Sequence, residues 1–181
     1  MRLEGILSLD ARLTGQLRLA PARSLWWGLA AAFAHSGDSW LWLAGLVLVW
    51  LVGSPIWRER AALLAIAVVI QALLIFPLKQ TVRRERPKGE WGGIYRSFDP
   101  HSFPSGHATR AVLLAVMALG LGPVWFAASL CVWAPLVALA RVATGVHYIS
   151  DVVAGGLIGL VMGLGMLAAQ GTFMRWLPFL F

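Results

Sequence analysis

The sequence predicts an all-α integral membrane protein: a six-helix bundle preceded by an amphipathic helix lying at the membrane interface. Three observations carry that prediction. Of 181 residues, 59% are hydrophobic and 13% are charged, about half the roughly 25% charged share of soluble domains. Apolar runs recur at lengths close to the ~20 residues a helix needs to cross ~30 Å of hydrocarbon. Ten Trp residues suit the membrane–water boundary, where the ring is apolar and the N–H stays wet. Mean hydropathy is +0.75.

Residues 6–19 alternate apolar and polar side chains at helical spacing, and within the segment 1–20 they predict the interfacial helix. Residues 21–35, holding Leu25, Trp26, Trp27 and Phe33, form a short first span. Further spans are expected at 40–56, 61–78, 108–121, 124–140 and 152–169, the third of these beginning slightly before Ala108 inside a polar site. The length is that of one domain, 1–181. Connections are short except one: residues 80–104 hold Arg83, Arg84, Glu85, Arg86, Lys88, Glu90, Arg96, Asp99 and His101. A polar loop of that length in a tight bundle is usually functional. No repeat or low-complexity tract interrupts the chain.

A net charge of +7, from 15 Lys and Arg against 8 Asp and Glu, serves topology, anionic headgroups or a phosphorylated ligand. Nucleic acid is disfavoured, because the cations form no continuous basic stripe. The single Cys131 excludes an intramolecular disulfide. The first 20 residues hold no compact apolar core of the kind a cleavable signal requires. Six spans would put both termini on one side. With the loop and Arg141 cations reserved for a ligand, the positive-inside rule makes that side cytoplasmic and the polar loop extracytoplasmic.

Three short stretches then meet at one membrane face. Lys79 to Pro87 leaves the 61–78 helix, Pro104-Ser105-Gly106-His107 enters the next, and Arg141 to Asp151 joins the last two spans. Ionisable groups near membrane depth are costly, so a cluster of them is a functional hypothesis. Lys79, Arg86 and Arg141 are three cations able to converge on one anion, the Arg forks matching phosphate oxygens. Ser105 and Gly106 open a helix whose free N–H groups also favour an anion, and Gly106 has no Cβ to hold a ligand off. His107 and His147 transfer protons near neutrality. Asp151, four residues after His147, shares its face on a helical turn and can fix its tautomer, leaving the other ring nitrogen free to attack. Such parts suit phosphoryl transfer with no metal and no cofactor.

Lys79-x6-Arg86-Pro87, Pro104-Ser105-Gly106-His107 and Arg141-x5-His147-x3-Asp151, in that order, resemble the type 2 phosphatidic acid phosphatase superfamily. Soluble acid phosphatases and vanadium haloperoxidases share that site. The resemblance implies His147 as the nucleophile that becomes phosphohistidine, Asp151 as its orienting carboxylate, and His107 as general acid. It implies Lys79, Arg86, Ser105, Gly106 and Arg141 as phosphate ligands. The third motif usually begins Ser-Arg; here Ala140 precedes Arg141, a loss of at most one hydrogen bond, about 0.5–1.5 kcal/mol net.

Taken singly, each residue has a plainer reading. Lys79 can snorkel, Asp151 can cap its helix with Ser150, and His35 can be a turn residue. His101 can be solvated, and Arg83, Arg84 and Lys88 can be a solvated charge run. Arg110, one turn after His107, is a secondary contact. Gly155, Gly156, Gly159, Gly163 and Gly165 read as helix-packing positions. Jointly, the three motifs favour a membrane lipid phosphatase of a bacterial inner membrane acting on a lipid phosphate or diphosphate. Undecaprenyl diphosphate is favoured because the site faces outward; phosphatidylglycerol phosphate and phosphatidic acid come next. The competing reading is a bundle that binds or transports lipid phosphates without chemistry. A haloperoxidase is disfavoured, since those relatives are soluble.

Overall fold

A computed structural model describes residues 3–20, 24–88 and 99–181 of the chain. Its helices are α1 (Leu3–Leu17), α2 (Leu25–Ser36), α3 (Ser39–Val52), α4 (Pro55–Val82), α5 (Gly106–Leu121), α6 (Val124–Ala143) and α7 (Ile149–Trp176). A 3₁₀ turn at Pro178–Leu180 follows. Among the described residues the only extended pairing is an isolated antiparallel bridge between Glu85 and His101. The all-α architecture is as the sequence predicts, and six helices follow α1 among the described residues, the first of them only 12 residues long. Residues 21–23 of the expected first span and Glu90 and Arg96 of the long loop lie outside the described residues.

The helices form where long apolar runs leave the backbone no partner but itself. α4, α6 and α7 are each long and apolar enough to cross a bilayer, and α5 is a shorter apolar helix. Prolines begin or precede α4 and α6 at Pro55 and Pro123, where a missing N–H costs no intrahelical bond. α5 is the central column: Leu113, Leu114, Met117 and Ala118 are fully buried against α4, α6 and α7. The outward faces stay apolar, with Leu73 and Phe76 on α4 and Leu157, Val161 and Leu164 on α7 exposed, as a lipid-facing surface requires.

Close approach of α5 and α7 depends on a row of glycines. A Cβ at Gly155 would lie 2.6 Å from the Ser105 carbonyl, at Gly159 2.3 Å from that of Thr109, and at Gly163 2.8 Å from the Val116 side chain. Two other glycines of the predicted packing face are not part of this contact. Gly165 meets nothing within 4 Å, and Gly156 has ordinary clearance from Val112.

α1 and the C-terminal end lie at different poles of the bundle. α2 and α3 are long and apolar enough to cross a bilayer only when taken together, as a broken span or a re-entrant loop bent by 58° at Gly37–Asp38. Leu19 N–H donates to the Ala143 carbonyl at one pole, while Trp57 at the start of α4 packs on Trp125 and Phe126 at the other. α1 therefore lies at the pole of the polar loop: Ile149 N–H donates to Thr14 Oγ1 at 3.1 Å and Arg18 donates to the Lys88 carbonyl. The C-terminal end sits at the opposite pole, where Trp50 Nε1 donates to the Leu180 carbonyl at 2.7 Å. A 12-residue helix is too short to make a separate crossing, so the chain runs pole to pole an odd number of times. Arg12, Arg18, Arg83 and Lys88 then stand at the loop pole against Arg58, Arg60 and Arg175 at the other. With the loop cations Arg83 and Lys88 reserved for a ligand, Arg12 and Arg18 stand at that pole against Arg58, Arg60 and Arg175 at the other.

Candidate active site

The three stretches singled out from sequence converge at one pole, and backbone bonds tie them together. Ser105 N–H donates to the Asp151 carbonyl at 2.9 Å, joining the start of α5 to the start of α7. Arg86 Nη1 donates to the Val146 carbonyl at 3.0 Å, joining the loop after α4 to the α6–α7 connection. Gly145 allows that connection its turn, with φ of 71°, in the left-handed region glycine tolerates best.

Lys79, Arg86, Gly106, His107, Arg141 and His147 all line one cavity of about 220 Å³. Ser39, Gln71, Ala72, Ile75, Phe76, Asp99 and Arg110 complete it. Lys79, Arg86, Ser105, Arg141, His147 and Asp151 are buried. Ser105 is the N-cap of α5, accepting from Ala108 N–H through its side chain at 3.4 Å, so the first N–H groups of that helix face the cavity rim. A Cβ at Gly106 would meet only ordinary contacts, so the lack of a side chain there is not required by protein packing and leaves room on the cavity side.

The imidazole of His147 is held between a cation and a carboxylate. Arg86 Nη1 is 3.1 Å from Nε2. A guanidinium only donates, so Nε2 is the acceptor and the ring hydrogen sits on Nδ1. Nδ1 faces Asp151 Oδ2 at 3.5 Å, a distance that leaves it without a close hydrogen bond. Burial, then the charges of Arg141, Arg86 and Lys79, push His147 well below the ordinary histidine range. The ring is therefore neutral, with its Nε2 lone pair directed into a cationic pocket.

Asp151 serves more groups than sequence indicated. Its Oδ2 accepts Tyr148 N–H at 2.8 Å, closing a capping box at the start of α7. Its Oδ1 accepts Arg84 Nη1 at 2.7 Å. Arg84 is thus not part of a solvated charge run. It also bonds Asp10 Oδ2 at 2.8 Å and Ser150 Oγ at 2.6 Å, and stacks 4.0 Å over the Tyr148 ring. Burial opposes ionisation of Asp10, but bonds from Ser150 and Arg84 hold it below the usual carboxylate range. α1 is fastened to the site by this chain of contacts.

Sequence reasoning passed over two further carboxylates. Asp99 Oδ2 accepts from Lys79 Nζ and, at 3.0 Å, from Arg86 Nη2. Asp38 Oδ1 lies 2.7 Å from His107 Nε2, and its Oδ2 3.2 Å from His35 Nδ1. The sequence signal for Asp38 was a lone acid between two apolar helices. Asp99 carried no signal beyond its place in a charged loop. Arg110 is buried and donates to the Gly37 carbonyl at 2.9 Å, to Ser39 and to Gln71 Oε1 at 3.2 Å. It lines the cavity one turn below His107. The described residues contain no group of three or more His, Cys, Asp or Glu able to hold a metal.

Comparison with known proteins gives concordant matches. A family model described as the PAP2 superfamily matches residues 60–175. Putative undecaprenyl-diphosphatase YbjG of Escherichia coli K12 is 30% identical over 127 residues, 68% of this chain and 62% of that protein. Decaprenylphosphoryl-5-phosphoribose phosphatase of Mycobacterium tuberculosis is 32% identical over 141 residues, 74% of this chain and 75% of that one. The crystal structure of LpxE from Aquifex aeolicus superposes with a TM-score of 0.70 at 26% identity, covering 88% of this chain and 95% of that one. A PAP2-type phosphatidylglycerolphosphate phosphatase from Bacillus subtilis superposes with a TM-score of 0.73 at 23% identity over 94% and 89%, a likeness of fold.

Proposed function

Since the chain belongs to the PAP2 superfamily, we propose that it is a multi-pass bacterial membrane phosphatase that hydrolyses a polyprenyl phosphate or diphosphate through a phosphohistidine. The observation that carries the reading is the one cavity in which four cations, two imidazoles and a helix N-terminus meet, beside the apolar α4 residues Ala72, Ile75 and Phe76. A phosphate fits the polar part. A lipid tail leaves past the apolar side into the bilayer.

In this mechanism Lys79, Arg86 and Arg141, with the N–H groups at Ser105–Gly106, neutralise the phosphoryl oxygens. The substrate phosphate displaces Asp99 from Lys79 and Arg86, and draws Arg86 away from His147 Nε2. That nitrogen attacks phosphorus as the bond to the lipid oxygen breaks, and His107 gives its proton to the leaving oxygen. Water then attacks phosphorus while His107 takes its proton, the P–N bond breaks, and inorganic phosphate leaves. Asp151 holds the His147 tautomer throughout.

The named relatives support the polyprenyl choice, because the E. coli and M. tuberculosis proteins both carry polyprenyl phosphate substrates in their names. Phosphatidylglycerol phosphate and phosphatidic acid are the next candidates. The test is phosphate release in detergent with EDTA present, across undecaprenyl diphosphate, undecaprenyl phosphate, phosphatidylglycerol phosphate and phosphatidic acid. Trapped phosphohistidine at His147 supports the mechanism. Full hydrolysis by His147→Ala contradicts it, and binding of every lipid without release favours the non-catalytic bundle.

A further inference from the structure

We propose that Asp38 is a positioning residue for His107, making it the working half of a second histidine–carboxylate pair; the proposal rests on the phosphatase reading above. Asp38 stands at the N-cap of α3, where an acidic side chain ordinarily accepts the first helical N–H groups. Here it makes no capping bond. Its buried carboxylate is directed instead at two rings, 2.7 Å from His107 Nε2 and 3.2 Å from His35 Nδ1.

The bend between α2 and α3 is shaped to deliver that carboxylate. A Cβ at Gly37 would stand 2.9 Å from Val137 and 3.1 Å from His107 Cδ2, so only glycine lets the bend press against the imidazole. Arg110 Nε holds the Gly37 carbonyl at 2.9 Å, and Trp133 Nε1 donates to Ser36 Oγ at 2.8 Å. Both flanks of the bend are thereby fixed to α5 and α6, and Asp38 is fixed with them.

The chemistry asks for such a group. An acid catalyst must carry its proton when substrate arrives, and His107 shares its cavity with Arg141 from α6 and Arg110 from α5. Asp38 is the carboxylate that faces the same ring and favours the charged form. With Nε2–H given to Asp38, Nδ1 is the nitrogen that gives its proton to the departing oxygen and later takes one from water. His35, on the other carboxylate oxygen, braces the pair from outside.

The experiment compares kcat/KM for an alkyl lipid phosphate and for an alkyl-tailed nitrophenyl phosphate, whose leaving oxygen needs no proton. Asp38→Asn should lower the alkyl substrate about 10²-fold and the nitrophenyl one less than about threefold. The basic limb of the alkyl profile should move to lower pH, because His107, facing Arg110, Arg141 and His147 without its carboxylate, loses its proton sooner. Asp38→Glu should recover part of the difference. Equal losses on both substrates, or an unmoved basic limb, overturn the proposal. Asp38→Ser carries the same ratio should Asn at this position not fold. Turnover by the unaltered chain reads the phosphatase assignment separately.

Discussion

The Nδ1 of His147 lies 3.5 Å from Oδ2 of Asp151, across one turn at the start of α7. Because Arg86 occupies Nε2, the carboxylate faces the protonated nitrogen, across a gap longer than a close hydrogen bond, and its charge favours the hydrogen there. Asp151→Asn keeps the shape but offers an N–H where an acceptor was, inviting the wrong tautomer. The expected loss in kcat is about 10³–10⁴-fold, with vanadate inhibition retained because the cations remain. Single-turnover phosphorylation of His147 checks it, and an unchanged rate would contradict the role.

In the proposed mechanism Asp99 stands where the substrate phosphate binds. Its carboxylate takes both Lys79 and Arg86 and is about one-third exposed, so it competes with an incoming phosphate from a position open to solvent. Asp99→Asn should reduce KM for a lipid phosphate about three- to tenfold and strengthen inhibition by inorganic phosphate to a similar degree, the scale of a partly screened ion pair. A raised KM would mean that Asp99 organises the cations and does not compete for them.

The pH profile follows from the surroundings of His147. Burial first, and then Arg141, Arg86 and Lys79, depress its affinity for a proton. In the proposed mechanism only the neutral ring attacks, so a depressed value keeps His147 active to lower pH, and the acid limb of kcat/KM should fall below the ordinary histidine value of about 6.5. Arg141→Gln removes one opposing charge and should move that limb upward while lowering the whole curve. Its position, measured on a full profile, separates lost charge from lost binding.

How much of this was legible in the sequence depends on range. The apolar runs of α4 to α7 are continuous, so their helices could be read directly, with ends shifted by a few residues. Lys79, Arg86, His107, Arg141, His147 and Asp151 could be read because helix ends impose their spacing and each residue type suits the same anion. Asp38 and Asp99 could not. Their partners lie 69 and 20 residues away, and a single acid has no period to betray its direction. Arg84 was misjudged for a related reason: a run of Arg83, Arg84 and Arg86 looks uniform, and only tertiary packing sends one member to Asp151. The expected placement of the termini rests on parity. Whether α2 counts as a full crossing decides the placement of everything before it.

The glycine row on α7 makes a contrast within one helix. Gly159→Ala would place a methyl 2.3 Å from the Thr109 carbonyl and should cost about 1–3 kcal/mol as α5 and α7 part. Gly165→Ala meets open space and should be neutral or gain roughly 0.5–1 kcal/mol from helix propensity. Thermal unfolding in detergent orders the two variants, and equal behaviour would mean that α5 and α7 do not approach so closely.

The odd number of passes is tested by where the ends are. In a Cys131→Ser background, single cysteines at Ser8 on exposed α1 and at Arg175 near the end of α7 should react differently with a membrane-impermeant maleimide on intact cells. One should label and the other should not until the membrane is opened. Since Thr14 and Arg18 bind the site loops directly, the side on which Ser8→Cys labels is also the side on which the phosphate cavity opens. Labelling from the outside would support the extracytoplasmic site despite the crowd of cations at its pole, whose charge would then have to be attributed to ligand and ion-pair duties. Equal labelling of both positions would mean that α2 and α3 cross separately, and that the 58° bend between them does not persist in the bilayer.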